Sequence, residues 1–586
     1  MSREMSTINA SFGEVSLLLL NNVYGMPDRA SRPNVLCFVV DQMRYDQLGC
    51  TGNETISTPH IDTLANDGVI FDRNYVTHPA CMPARGTLFS GRPPRDGVVR
   101  ANGTQLPDDV ETVPELLGDV GYSTHATGKI HFGSYSLPFE QIAYMIEQGE
   151  ISLDDYPERY KRALRRVIEE TDESGFADTE IDPEQYPESK EMWKTGRITE
   201  PVEPYYGFDT VDLTCGHTDG VFGEYENWLR ENHPEEYARF HRSHPDNELR
   251  ATAQSFDWAF PEELHYNRWI ADRTRDRIRD AAADDDPFFM LCSFPDPHHP
   301  WGAPEPWGSM YDPEEVEMPV RRDGELNDLP PFYRDVHEDP ETELNGIHRD
   351  SKSLVGEPEI RDLIAVSYGM VSFVDAEVGR VMETVADLGL REDTVVVFLS
   401  DHGDMMGDHW MAKKGPFQFE GLLRVPMIWS WPGEIPDGER TSGLTSQLDF
   451  APTVLDYCDV PTPDERRRSG SGNPYRRGLE PDQWPGESLR RQIAGETDSI
   501  HDGVIVENDE DYLGLRIRTY ITDRYKLTVY PGREYGELFD LKNDPDELHN
   551  RWDDPEYEGV KNQLYREMLE QYILEEGATP SRESHS

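Results

Sequence analysis

Short apolar runs that end in a polar residue punctuate this chain. Val35–Val40 runs straight into Asp41, and the more polar stretch Tyr122–Thr127, also expected as a strand, leads through Gly128 to Lys129 and His131. Phe288–Phe294 leads to Asp296, His298 and His299, and Val395–Leu399, after Thr394, ends at Ser400, Asp401 and His402. Continuous runs of this kind, without polar alternation, predict strands buried on both faces, as in a parallel sheet covered by helices. Residues Ile360 to Leu390 place apolar side chains at helical spacing and predict a crossover helix feeding the last of these strands. In open α/β sheets, ligands sit beyond the carboxyl ends of the strands. One strand ending in a polar residue is common. Four that deliver Asp, Lys, His and Asp-His to one edge predict an active site.

Two stretches break the alternation. Residues 136–285 are acidic, rich in Tyr and Trp and partly helical, as at Tyr156–Glu170, and residues 320–358 are polar with little apolar periodicity. Both read as insertions that form substrate walls above the sheet edge. The Pro-, Arg- and Gly-rich passage 461–487 reads as a linker. Beyond it, Val504–Asn508, Gly514–Ile521 and Tyr525–Tyr530 predict antiparallel strands and Tyr557–Leu574 a closing helix. The expected organisation is an irregular or disordered segment 1–32, a catalytic domain 33–460, a small α+β domain 488–575 and a tail 576–586.

Composition narrows the function. The chain has 586 residues, enough to bury a large core, and its 114 acidic against 56 basic residues give a formal net charge of −58. Only ten of the basic residues are Lys, and the acids are spread along the whole length. This pattern reads as a halophilic surface of the haloarchaeal type, whose self-repulsion molar salt screens. It excludes nucleic acid and anionic membrane as partners. The six Cys, at 37, 50, 81, 215, 292 and 458, contain no CxxC and are too scattered for a disulfide framework. The apolar run Val15–Leu20 is too short for a signal peptide or a membrane span, so the expectation is a cytoplasmic protein.

Against that background one motif stands out. Cys81-Met82-Pro83-Ala84-Arg85 is followed by Leu88-Phe89-Ser90-Gly91-Arg92. This resembles the signature of the formylglycine-dependent sulfatases, in the alkaline phosphatase superfamily: a Cys-x-Pro-x-Arg core with a Leu-x-x-Gly-Arg tail. The resemblance extends over roughly residues 33 to 550. Thr58-Pro59-His60-Ile61-Asp62, Gly128-Lys129-Ile130-His131, Ser400-Asp401-His402-Gly403 with Gly407-Asp408-His409, Leu448-Asp449-Phe450-Ala451-Pro452-Thr453 and Glu537-Leu538-Phe539-Asp540-Leu541 are similar to further landmarks of that family. The fold it implies is an alkaline-phosphatase-like α/β sandwich. A large, mostly parallel central sheet is flanked by helices, and a small C-terminal α+β domain carries an antiparallel sheet.

The family resemblance also implies a chemistry. Cys81 would be oxidised to formylglycine by a formylglycine-generating enzyme acting on the unfolded segment, and its hydrate would attack sulfur. Asp41, Asp401, His402 and residue 81 would bind a divalent metal, with mostly oxygen ligands favouring Ca²⁺ and one imidazole leaving Mg²⁺ or Mn²⁺ open. Arg85 would hold the diol and the metal-side charge, and Lys129 and Lys414 would clamp the sulfate oxygens, with Lys413 the rival for the second position. His131 would relay protons at residue 81. His298, or its neighbour His299, would protonate the departing alcohol. Asn102 lies where related sequences place an Asn near substrate, and a turn Asn before Gly103 explains it nearly as well. Gln42 departs from the commonest pattern, which has a second Asp, and resembles the choline-sulfatase and phosphonate-monoester-hydrolase branches. It would bind the metal or the substrate.

The expected activity is hydrolysis of a sulfated small molecule or saccharide. The main alternative is a phosphodiesterase or phosphonate monoester hydrolase using the same residue 81. A third is a non-catalytic binder of sulfated glycans, should Cys81 remain a thiol.

Overall fold

A computed structural model describes residues 32–96, 98–170, 181–252, 254–284, 286–338, 356–463, 484–510 and 514–575. Of the expected segments, 1–31, 576–586, most of the linker 461–487 and residues 339–355 of the second insertion lie outside the described residues.

Nine strands form the central sheet: β1 (Asn34–Val40), β2 (Val69–Phe71), β3 (Ser123–Gly128), β4 (Thr210–Cys215), β5 (Phe222–Gly223), β6 (Phe288–Phe294), β7 (Thr394–Ser400), β8 (Met427–Ser430) and β9 (Glu439–Thr441). Their order is β9-β2-β8-β7-β1-β6-β3-β4-β5. The run β7-β1-β6-β3-β4 is parallel throughout. β8 is antiparallel to both β7 and β2, and β5 to β4, so the sheet is mixed with a parallel centre. In β1 and β7, Val35, Cys37, Val39, Val395, Val397 and Leu399 face one core layer. Leu36, Phe38, Val40, Val396 and Phe398 face the other. Both sides are covered, which is why these strands read as unbroken apolar runs.

Helix α1 (Cys81–Ser90) supplies Met82, Leu88 and Phe89 to the first layer. Helices α2 (Tyr266–Ala281) and α3 (Glu357–Asp387) pack in the second, and α3 is the expected crossover into β7. Residues 136–285 are more than an insertion, because they supply β4, β5 and α2. β4 reads Thr-Val-Asp-Leu-Thr-Cys, and its buried Asp212 is neutralised by Arg277 at 2.7 Å. That polar content near the sheet edge hides the strand from an apolar-run reading.

Four antiparallel strands follow: β10 (Gly503–Asn508), β11 (Ile517–Thr522), β12 (Tyr525–Val529) and β13 (Gly536–Asp540). β11 begins three residues later than expected, and β13 was visible only as a family landmark. Leu564 of helix α4 (Glu558–Leu574) joins Ile505, Tyr520, Leu527 and Leu538 on one face of this sheet. On the other face, Val504, Val506, Ile517 and Phe539 pack with Tyr75, Phe417 and Phe419 of the catalytic body. No helix among the described residues is long and apolar enough to cross a membrane.

Candidate active site

Strand register assembles the site. β1 and β7 pair with Val40 opposite Ser400, so Asp41 and Asp401 leave adjacent strands side by side. The Asp401 N–H donates to the Val40 carbonyl at 3.1 Å. Gly128 pairs with Ser293, and the Lys129 N–H donates to the Ser293 carbonyl at 3.0 Å. Gly128 has φ +96°, and a Cβ there would lie 1.9 Å from the Ser293 carbonyl oxygen. Only glycine allows this approach and the turn that delivers Lys129. Cys81 is the first residue of α1, after Ala80 in extended conformation, and all ten residues of the helix are buried. The amino-terminal end of the helix dipole thus points at residue 81. Arg85 stands one turn further along the same face.

Around Cys81 the donors crowd closely. Its Sγ lies 3.5 Å from Asp41 Oδ1, 3.2 Å from His402 Nε2 and 3.1 Å from Lys414 Nζ. Lys414 Nζ also reaches His298 Nε2 at 3.0 Å and His402 Nε2 at 3.2 Å. Lys414, not Lys413, therefore faces residue 81; the Lys413 N–H donates instead to Asp404 Oδ1 at 2.9 Å. Lys129 Nζ is bonded to Asp41 Oδ2 and lies 2.8 Å from His217 Nε2. Arg85, fully buried, donates Nε–H to Asp401 Oδ2 at 2.7 Å and Nη1–H to the Lys129 carbonyl at 2.7 Å and Ser293 Oγ at 2.9 Å. His298 faces the site through Nε2, while His299 Nδ1 sits 2.9 Å from Gln42 Nε2.

Gln42, at φ 68°, donates its backbone N–H to Asp401 Oδ1 at 3.1 Å and its side-chain amide to Asp404. His131 stacks on Tyr135 with ring centres 3.8 Å apart. The loop carrying it is pinned by Glu188, which accepts from the N–H groups of His131, Phe132 and Gly133 at 2.9, 2.8 and 2.8 Å. Asn102 Oδ1 accepts the Met82 N–H at 3.1 Å, which satisfies one of the orphan donors at the start of α1.

Sequence reasoning missed His217, Asp404 and Tyr135. His217 stacks on His298 at 3.5 Å between ring centres and lies 3.3 Å from Asp41 Oδ2. It follows β4 by two residues, so it obeys the strand-end rule once that strand is known. Asp404 lies three residues beyond Asp401 in the same loop, and its only signal was that proximity.

Charge is balanced inside the site. Burial would raise the Asp41 carboxyl, but Lys129, His298 and His217 outweigh it and hold the group well below the usual range. Burial, reinforced by Lys414, pushes the His402 imidazole down to about 4. Burial and then His217 and Lys414 hold His298 well below its ordinary value. Lys414 moves upward, because Cys81 and Asp41 overcome the cost of burying it.

The donor set suits a divalent cation. Asp41, Cys81, Asp401 and His402 can each offer an atom so that all four lie within 4.8 Å of one another, and all four residues are buried. Gln42 Oε1 is buried without a hydrogen-bond partner, an acceptor beside Asp41 of the kind a cation satisfies. A second grouping, Asp41, Cys81, His217 and His298, meets the same distance test. It fits less well, because Lys129 Nζ already sits against both Asp41 and His217.

The family model for sulfatases matches residues 33–165 and 214–460. The chain belongs to the sulfatase family. A model for the C-terminal region of N-sulphoglucosamine sulphohydrolase matches residues 407–573 of this sulfatase. The enzyme is thus a sulfuric ester hydrolase with the alkaline-phosphatase-like fold. It is 25% identical over 533 residues to an arylsulfatase of Clostridium perfringens, covering 90% of this chain and 91% of that one. It is 24% identical over 566 residues to the N-acetylglucosamine-6-O-sulfatase of Bacteroides thetaiotaomicron, covering 93% and 88%. Among solved structures, the phosphonate monoester hydrolase of Agrobacterium radiobacter superposes with a TM-score of 0.67 at 24% identity, covering 93% of this sulfatase and 96% of that chain.

Proposed function

We propose that this sulfatase hydrolyses a sulfate monoester of a sugar or aryl alcohol through residue 81 in its formylglycine form. The observation that carries this is the position of Cys81 Sγ, within 3.5 Å of Asp41, His402 and Lys414 at the amino terminus of α1. Formylglycine supplies a geminal diol, one hydroxyl of which is the nucleophile and the other the means of releasing sulfate. Asp41, Asp401, His402 and residue 81 would hold a divalent metal, Ca²⁺ by the preponderance of oxygen, which lowers the pKa of the attacking hydroxyl and neutralises sulfate. Gln42 Oε1 is the candidate for a further ligand.

The surrounding side chains do the rest. Arg85 orients Asp401 through a charge-assisted bond at 2.7 Å. Lys129 and Lys414 stand on either side of Asp41 and residue 81 and take the sulfate oxygens. The 2.5 Å contact of His298 Nδ1 with the His299 carbonyl assigns the ring proton to Nδ1 and leaves Nε2 facing Lys414. Lys414 keeps its charge and donates a hydrogen bond to Nε2, and His298, on taking a proton from solvent, is the group that would deliver it to the departing alkoxide. His131 is the relay at residue 81. Cys81 is only 1% exposed, so a maturation enzyme must reach it before folding.

A second reading, phosphonate monoester or phosphodiester hydrolysis at the same nucleophile, is favoured by Gln42, where a second Asp would add a negative charge. The ratio of rates on an aryl sulfate and an aryl phosphodiester separates the two.

The central test is Cys81→Ser made in a host that does not oxidise serine in this motif. Serine can take the sulfuryl group but has no second hydroxyl to expel it. The expected result is at most one phenol released per chain from an aryl sulfate, and a sulfated peptide containing residue 81 in the mass spectrum. Sustained turnover by an unoxidised variant would remove residue 81 from the mechanism.

A further inference from the structure

Gln42 follows the candidate ligand Asp41, Asp404 shares a loop with Asp401 and His402, and both side chains are buried. The Gln42 amide is saturated at one end and bare at the other. Its Nε2 donates to Asp404 Oδ2 and lies 2.9 Å from His299 Nδ1, which uses both amide hydrogens. Its Oε1 is buried with no hydrogen-bond partner. A buried amide oxygen left bare costs free energy unless something from outside the chain meets it.

An amide can be turned end for end with little change of shape, so its surroundings must choose the orientation. Asp404 makes that choice. A carboxylate only accepts hydrogen bonds, so it holds Nε2 against it and repels Oε1. Nor is Asp404 free to turn away. Its Oδ1 accepts the N–H groups of Met406 at 2.7 Å and Lys413 at 2.9 Å. Its backbone N–H donates to the Gly421 carbonyl at 3.0 Å, and its carbonyl accepts from Arg44 Nη1 at 2.8 Å. Gly403 before it is packed as tightly, since a Cβ there would lie 2.0 Å from the Gly421 carbonyl oxygen. Arg44 stands two residues after Gln42, so its bond also ties the Gln42 loop to the Asp404 loop. The Gln42 N–H adds a second tie, to Asp401 Oδ1 at 3.1 Å. His299 Nδ1 takes the other amide hydrogen, which places the proton of that ring on Nε2.

We propose that Asp404 is a positioning residue for the metal site: by holding Nε2 of Gln42 it leaves Oε1 for the cation, and so makes a neutral side chain a ligand. The inference rests on the reading of Asp41, Asp401, His402 and residue 81 as the other ligands. A carbonyl oxygen is an ordinary donor to a hard divalent ion, whereas an amide N–H facing the ion would repel it. Asp404 acts through Gln42 and not by its own charge.

Metal affinity tests this directly. EDTA-treated protein, with residue 81 in the same state in every variant, would be titrated calorimetrically with CaCl₂ and with MnCl₂. Asp404→Asn keeps the shape and an oxygen for the Met406 and Lys413 N–H groups, but turns an N–H toward Gln42. The Gln42 amide should then reverse and present Nε2 to the ion, and affinity should fall about tenfold or more. The double variant Asp404→Asn/Gln42→Glu should return to within about threefold of the parent, because a carboxylate accepts from the new amide with one oxygen and offers the other to the ion. Gln42→Met fills the same space with no amide to orient, and should by itself lose about tenfold. Adding Asp404→Asn to it should cost less than about twofold more. A further tenfold loss in that background would mean that Asp404 acts through its charge, and would overturn the proposal. Unchanged affinity of Asp404→Asn would do the same, whatever its turnover. Should Asp404→Asn fail to fold, unchanged affinity of Gln42→Met would overturn the proposal on its own. Binding of neither ion by the parent chain would overturn the metal reading itself, a result distinct from all of these.

Discussion

Arg85 and Asp401 are both fully buried and joined at 2.7 Å, and each residue was visible in a sequence motif. The motifs did not show that they bond one another. Breaking a buried pair costs more than forming it gains, because the remaining charge is left in a medium that cannot solvate it. Arg85→Ala is expected to lower the stability of the EDTA-treated protein by about 3–5 kcal/mol, read by urea denaturation. A loss below about 1 kcal/mol would mean that water or the N–H groups of Gln42 and His402 already compensate Asp401. For Asn102 the sequence left a substrate position and a turn role open, and the structure adds that its Oδ1 accepts the Met82 N–H at the start of α1.

Elements carry the next layer of the argument. β1, β6 and β7 could be read because a strand covered on both faces must be apolar throughout, β3 (Ser-Thr-His-Ala-Thr-Gly) was legible mainly through the Gly128-Lys129-Ile130-His131 motif that ends it, and their ends converge because parallel strands in register share one edge. β4 could not, since Thr210, Asp212 and Thr214 break its apolar run and Arg277 makes Asp212 tolerable only in three dimensions. His217 was missed for that reason. The close approach of β3 to β6 gives a test at this scale. Gly128→Ala would place a Cβ 1.9 Å from the Ser293 oxygen at φ +96°, so the end of β3 must shift. A stability loss of about 2 kcal/mol or more is expected, together with a fall in kcat, because Lys129 is the next residue. Unchanged kcat in a folded variant would show that Lys129 keeps its place without this turn.

At the scale of the whole molecule, two charge effects set the conditions under which the fold is stable. His501, just before β10, meets the buried Asp449 of the catalytic body at 2.9 Å. Burial opposes its protonation, but Asp449 prevails and raises the imidazole from 6.5 to about 9. A raised folded-state pKa stabilises fully below the unfolded value and is lost as pH rises through the folded one. The contribution, on the order of 3 kcal/mol as an upper bound, should therefore be complete below about pH 6.5 and gone above about pH 9. The melting temperature should fall across that window, and His501→Gln should flatten the fall. A variant with the same pH profile as the parent would rule out this contact as the cause. The second effect is global. At −58, screening matters: the Debye length shrinks from about 10 Å at 0.1 M salt to about 3 Å at 1 M. The melting temperature should rise between those concentrations of KCl, and a flat profile would sink the halophilic reading of the surface.

Sequence alone determined the buried strands, the crossover helix α3, the family and most residues at the sheet edge, because each leaves a local mark. Apolar runs, helical spacing and short fixed motifs are properties of neighbouring residues. Which of Lys413 and Lys414 meets residue 81, which of His298 and His299 faces Lys414, and that His217 and Asp404 belong to the site were decided only by the tertiary structure. Adjacent residues at a loop turn diverge by their backbone angles, as Lys413 at φ 62° shows, and those angles are fixed by contacts with distant segments.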